Sequence, residues 1–359
     1  MKAILIGYLQ EMFKNRVKAL LKKPQPAQRT PEWYSARHTR VTASEVASCL
    51  FLNDYTCDSY IKSFPHSNLK KNPEKGASHF DTIDDYLVKK CRAFYGENVF
   101  VDTVPTLWGK KYEEVATRLY RKEFNTQVYE FGLLNHPRLK WLGASPDGIT
   151  PEGTMLEIKC PWKRKIIENV PPFHYWIQMQ IQLEVCNLDK CDFLECEIFQ
   201  FDTIEEFTES TDINKGILVN KTEHDNSSET KYIYPPDNLN TPEEMINWAN
   251  VQRGNIKEPT ELVFYSITKW HVINIERDKV WFENVKNDIK QVHLKIIKFQ
   301  NDRELFDNFR ESIFKLTHKN FLEKYENTQC LIGDESTTEQ ELEEMLCVIN
   351  STDDFVFEE

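Results

Sequence analysis

Two carboxylates and a lysine stand close together near the middle of this 359-residue chain. Asp147 lies in the turn Ser145-Pro146-Asp147-Gly148, and Glu157-Ile158-Lys159 begins ten positions beyond it. On one face, Asp147 and Glu157 would offer the hard oxygen ligands that Mg²⁺ takes. The carbonyl of Ile158 could add another ligand, and Lys159 could hold or deprotonate a water. Such a set suits metal-assisted hydrolysis of a phosphodiester bond. It also suits a surface hairpin with ordinary solvated charges, so the surrounding elements must decide.

The spacing predicts a hairpin. Leu139 to Gly143 reads as an extended approach, and Pro146 and Gly148 supply turn chemistry. Pro151-Glu152-Gly153 is a second turn signal, after which Met155 to Cys160 alternates with Leu156, Ile158 and Cys160 apolar. If residues 151–153 form a three-residue loop, Thr150 faces Thr154 and Asp147 faces Glu157. Lys159, two residues further on, shares the face of Glu157. A slip of one residue would separate them. Opposed like charges need compensation, and a divalent cation provides it.

Other elements surround this hairpin. Residues 3–22 read as a basic helix ending before Pro24 and Pro26. Thr42-Ala43-Ser44-Glu45 is a helix start. Over Gly109 to Tyr120, the positions Tyr112, Val115, Ala116, Leu119 and Tyr120 form a helical stripe flanked by Glu113. Residues 171–186 are ambiguous. Ile177, Met179, Ile181, Leu183 and Val185 alternate with Gln178, Gln180, Gln182 and Glu184 as in a strand, yet Pro171-Pro172 suits a helix entry. Phe193 to Phe201 reads as a strand and 278–308 as an amphipathic helix. The polar, acidic segment 203–260 reads as an insertion with loops.

Composition and charge set limits. Hydrophobic residues make up 40% of the chain, with 22 Phe, enough for a real core. The apolar run Ala3 to Leu9 is too short for a membrane span and lacks a cleavage site, so the expectation is a soluble intracellular protein without a membrane partner. Its compartment would be host cytoplasm or nucleus if the source is viral. Nine Cys without C-x-x-C point to reduced structural thiols rather than zinc. The net charge of −12 is uneven: residues 333–359 carry ten Asp or Glu and no Lys or Arg, so the remainder is at −2. Residues 1–40 hold nine Lys or Arg against two Glu. A basic end can attract phosphates.

Taken in order, these segments resemble the YqaJ-like viral recombinase and lambda-type exonuclease family of the PD-(D/E)XK nucleases. The resemblance covers roughly residues 30–200, with a weaker echo over 269–282. The forms Trp-Gly-Lys-Lys-Tyr-Glu-Glu and Pro-Phe-His-Tyr-Trp-Ile-Gln-Met-Gln look like those of large DNA viruses. The implied fold is α/β (α+β), a restriction-endonuclease-like core in which helices flank a central mixed β-sheet, with helical N- and C-terminal additions. The expected organisation is a basic helix and linker over 1–28, a nuclease domain over 29–310, and a C-terminal helix with an acidic tail over 311–359.

The resemblance also implies roles. Asp147, Glu157 and Glu113 would hold the metal with the Ile158 carbonyl, and Lys159 would be the catalytic lysine. The family's Tyr-x-x-Gln motif falls on Tyr175 and Gln178, on a helix, where i, i+3 residues share a face. Trp33, Arg37, Thr42, Ala43 and Ser44 match a pocket for a DNA 5′ phosphate, for which a guanidinium fork and a hydroxyl are apt. Lys163 and Arg164 could track the DNA backbone. The cofactor expected is Mg²⁺, two ions, with Mn²⁺ able to substitute. The partners expected are double-stranded DNA ends and, as a further candidate, a single-strand annealing or recombination protein. The implied activity is 5′→3′ digestion that leaves 3′ overhangs for viral recombination, repair or replication. The rival readings are a structure-selective or nicking endonuclease on the same metal core and a non-catalytic DNA-end-binding protein.

Overall fold

The computed structural model describes residues 2–51, 53–67, 82–97, 102–221, 231–257 and 259–329. The acidic tail lies outside these residues. In chain order come α1 (Lys2–Leu21), α2 (Pro31–His38), β1 (Val41–Thr42), a 3₁₀ turn (Ala43–Cys49), α3 (Asp54–Ser63), α4 (Ile83–Phe94) and α5 (Val104–Glu123). Next are β2 (Leu134–Asn135), β3 (Leu142–Ala144), β4 (Gly148–Ile149), β5 (Thr154–Lys159), α6 (Phe173–Cys186) and β6 (Lys190–Phe201). The last are α7 (Ile204–Glu209), β7 (Lys215–Lys221), β8 (Lys231–Ile233), α8 (Pro242–Asn255), β9 (Thr260–Glu276), α9 (Lys279–Asn301) and α10 (Arg303–Gln329).

The main sheet has the order β4-β5-β6-β9-β7-β8 and is mixed. Strands β5 and β6 run parallel, and the other described pairs in this sheet run antiparallel. A parallel pair requires a crossover, which α6 supplies. It starts after Pro171-Pro172 and ends at Asn187, whose left-handed φ of 54° closes the helix. On the other face lies α5. Its Tyr112, Val115, Ala116 and Leu119 pack in one cluster with Leu156, Ile158, Leu194 and Cys196. The sequence-predicted α/β core flanked by helices is the fold observed.

Two segments differ from the sequence expectation. Segment 203–260 is more than an insertion with loops. In it, β7 pairs with β9 from Lys215 to Lys221, and Ile217, Leu218 and Val219 are fully buried. The C-terminal helical region is two helices separated at Asp302, whose carboxylate accepts from the Leu305 amide. The N-terminal helix α1 docks on the core. Val17 and Leu20 are buried, the Arg16 guanidinium donates to the Asn187 carbonyl at 2.7 Å, and a Cβ on Gly153 would meet the Phe13 Cβ at 2.9 Å. The helix thus presses on the turn of the β4–β5 hairpin. All seven described cysteines are buried.

Candidate active site

The β4–β5 register is the one the turn residues predict. Gly148 pairs with Leu156 and Ile149 with Met155. The Thr150 amide donates to the Thr154 carbonyl at 2.8 Å, and Gly153 takes a φ of +86° in the loop. Continued by one residue, this register sets Asp147 opposite Glu157. The next residue on the β4 side is Pro146, which has no N–H. It therefore cannot complete the ladder with Ile158. The Asp147 carboxylate takes the Ile158 amide instead, at 2.6 Å.

Glu157 is fully buried, and three groups hold its carboxylate. The side-chain amide of Gln178 donates to Oε1 at 2.6 Å, and that of Gln182 donates to Oε2 at 2.7 Å. The Lys159 ammonium lies 3.2 Å from Oε1. It also sits 4.6 Å from the centre of the Tyr175 ring. Tyr175 and Gln178 thus share the face of α6 that looks onto Glu157. Gln182, one turn on, completes the clamp, and the sequence-based set omits it. Gln180 points elsewhere: it donates to the Glu276 carbonyl and accepts from the Asp278 amide.

Burial, followed by the charges of Glu157 and Glu113, pushes the Asp147 carboxyl well above its ordinary range, against the pull of Lys159 and the Ile158 amide. Among the described residues, no three His, Cys, Asp or Glu side chains are grouped closely enough to hold a metal ion. Glu113 is instead bound by the Arg29 guanidinium. The donors fit a hard divalent ion in chemistry: the carboxylates of Asp147, next to β4, and Glu157, on β5, come from paired strands, and the next residue on β5 beyond Glu157 offers its backbone carbonyl.

The 5′-phosphate candidates form a second group beside the hairpin. The Arg37 guanidinium stacks 4.4 Å from the Trp33 ring centre and lies 3.4 Å from the Ser44 hydroxyl. Trp33 donates through its indole N–H to the Ser145 hydroxyl at 2.9 Å, which ties this group to the turn bearing Asp147. Thr42 is buried, and its amide donates to Glu45 at 2.9 Å. Beneath Arg37 lies an ion pair between buried Lys90 and half-buried Glu45, with no local sequence signal. Lys90 of α4 reaches both Glu45 oxygens at 2.8 Å, and Glu45 is 3.5 Å from Arg37. Burial would raise the Glu45 carboxyl, but Lys90 and then Arg37 hold it down at about 2.

The basic run after β5 divides. Lys163 is exposed over Trp162, with its ammonium 3.9 Å from the ring. Arg164 turns inward to the fully buried Glu195 and the Tyr175 ring. The structure thus gives Arg164 an internal ion pair where the sequence suggested a DNA-backbone contact.

The site is thus built on a mixed sheet flanked by helices, with glutamines from the crossover helix α6 and an Asp…Glu-x-Lys hairpin. Residues 32–189 match the family model of the YqaJ-like viral recombinase domain. A protein of Acanthamoeba polyphaga mimivirus described as uncharacterized is 29% identical over 279 residues, 67% of this chain and 45% of its own length. A protein of African swine fever virus is 28% identical over 166 residues, 42% of this chain and 44% of its own length. The chain thus spans less than half the length of these curated relatives. Among solved structures, an alkaline exonuclease from Laribacter hongkongensis aligns over 80% of this chain and all of its own, at 18% identity and a TM-score of 0.43. A phage-related exonuclease from Haemophilus somnus aligns over 71% of this chain and 96% of its own, at 15% identity and a TM-score of 0.38. Among the described residues, no helix is long and apolar enough to cross a membrane.

Proposed function

We propose that this protein is a Mg²⁺-dependent DNA exonuclease of the viral recombinase type, digesting duplex ends 5′→3′ and leaving 3′ single strands for viral recombination, repair or replication. One observation carries the reading: the hairpin register that opposes Asp147 and Glu157, with the Lys159 ammonium 3.2 Å from Glu157. Asp147, Glu157 and the Ile158 carbonyl would hold the ion, with Glu113 as the further carboxylate. A bound divalent ion supplies Lewis-acid polarisation and a water acidic enough to ionise near neutrality. The chain's own residues do the rest. Gln178 and Gln182 fix the Glu157 carboxylate, so its orientation is set before substrate arrives. Lys159 would accept the proton of the attacking water if neutral, or stabilise the hydroxide as the ammonium.

Arg37 and Ser44 form the pocket for a terminal 5′ phosphate. Trp33 fixes that pocket relative to Ser145, and so fixes the distance from the chain end to the cutting centre. Polarity follows from this placement. Two linear duplexes that differ only in a 5′ phosphate or a 5′ hydroxyl test the reading in Mg²⁺. Faster digestion of the phosphorylated duplex, with mononucleotides leaving from the 5′ end, is expected. Equal rates, or release from the 3′ end, would overturn the polarity.

A further inference from the structure

The strap joining α1 to α2 is stitched beside the candidate active site, and none of its residues belongs to the sequence-based set. The Pro26 carbonyl accepts from the Leu133 amide at 3.0 Å, and the Gln25 side chain accepts from the Gly132 amide at 2.7 Å. The fit is close: a Cβ on Gly132 would stand 1.9 Å from the Pro26 oxygen. Gln28 donates to the carbonyls of Phe131 and Pro146, at 3.0 and 3.2 Å. The strap therefore holds the residue immediately before Asp147. The next residue, Arg29, takes a left-handed φ of 65°, uncommon without glycine. Its guanidinium donates to Glu113 Oε2.

This contact differs in one respect from an ordinary surface ion pair. Its carboxylate stands beside the hairpin: the carbonyl of the neighbouring Tyr112 accepts from the Cys160 thiol next to Lys159, and Gln28, next to Arg29, holds the carbonyl of Pro146 next to Asp147. A guanidinium there neutralises charge that a divalent ion would otherwise neutralise. It also takes oxygen lone pairs that the ion would use.

We propose that Arg29 is a resident cation for this carboxylate cluster. With no divalent ion bound it holds Glu113, and it must release Glu113 before that carboxylate can become a ligand. Arg29 is thus a positioning residue that sets the cation affinity of the site. The inference rests on the cation-dependent reading given above.

Calorimetric titration of the DNA-free protein with Mg²⁺, repeated with Ca²⁺, tests it without any cleavage. Arg29→Ala is expected to bind the ion about two- to fivefold more tightly than wild type, since the competing pair is partly exposed and of modest strength. Arg29→Lys, which keeps the charge, should return towards the wild-type affinity. In a Glu113→Gln background, Arg29→Ala should change nothing, because the carboxylate it competes for is gone. Unchanged or weaker binding by Arg29→Ala overturns the proposal, as does equal tightening in the Glu113→Gln background. If wild type takes up no divalent ion, the cation-dependent reading falls and this inference with it. If wild type binds and Arg29→Ala binds equally, only this inference falls.

Discussion

Replacing Lys90 with Met would strip the ammonium from beneath the phosphate pocket and leave Glu45 charged in a half-buried position. Glu45 is held at about 2 against an ordinary 4.5. At about 1.36 kcal/mol per unit, that difference favours the charged form by roughly 3 kcal/mol. Lys90 is the larger contributor and Arg37 the smaller, but burial lowers the Lys90 pKa and offsets part of that gain, so Lys90→Met should cost about 1–3 kcal/mol. The double variant Lys90→Met/Glu45→Gln removes the stranded charge and should recover most of the loss. Urea unfolding at pH 7 reads both effects as midpoint shifts. The pH dependence has a definite sign. Because the folded state depresses the Glu45 pKa, the stabilisation is complete above pH 4.5 and is lost as pH falls through about 2. The gap between wild type and Lys90→Met should therefore narrow on acidification from pH 4.5. If Arg37 binds a 5′ phosphate as proposed, the single variant should also discriminate less between 5′-phosphate and 5′-hydroxyl ends, since Glu45 then draws on Arg37. A Lys90→Met protein as stable as wild type, or a double variant less stable than the single, would refute the reasoning.

Three further outcomes follow from the site. Asp147→Asn should leave the metal-free protein at least as stable as wild type at pH 7, because the raised Asp147 pKa makes its ionisation destabilising as pH rises above the ordinary carboxylate range; under the proposed metal reading Mg²⁺ should raise the melting temperature of wild type and not of this variant, and an equal rise in both would count against Asp147 as a ligand. Gln182→Leu removes a donor to the buried Glu157 and should cost about 1.5–3 kcal/mol, with kcat lowered and DNA affinity kept; unaltered kcat would exclude Gln182 from orienting that carboxylate. Gly148→Ala places a Cβ 2.1 Å from Val128 Cγ1, an overpacking worth about 1–3 kcal/mol, readable as a lower unfolding midpoint.

The hairpin was legible in the sequence because turn chemistry is local. Pro151-Glu152-Gly153 set the loop, the loop set the register, and the register set Asp147 against Glu157. Helix α6 was misleading for a physical reason. Its period-2 pattern arises from glutamines that are not on a solvent face: Gln180 and Gln182 are buried and, like Gln178, hydrogen-bonded to other elements. Family resemblance, rather than periodicity, favoured the helix. Strand β7 was hidden because the polar composition of 203–260 masks the short apolar run Ile217-Leu218-Val219. The Lys90–Glu45 pair and the Arg29–Glu113 contact join residues 45 and 84 positions apart. Single-sequence patterns carry no signal for such pairs, although the charge of each residue is plain. Arg164 read as a solvated cation because its partner, Glu195, lies on a strand 31 residues later.

The central claim is that the face bearing Asp147, Glu157 and Lys159 cuts DNA from its ends. The direct measurement is the release of 5′ label from a linear duplex in Mg²⁺, with wild type beside Lys159→Ala and a covalently closed circular duplex in the same tube. The account predicts that wild type releases label only when Mg²⁺ is present. It also predicts that Lys159→Ala binds the duplex and releases nothing, and that the circle stays intact. Full-rate release by Lys159→Ala, or a wild-type protein that binds ends in Mg²⁺ and leaves them uncut, would contradict it.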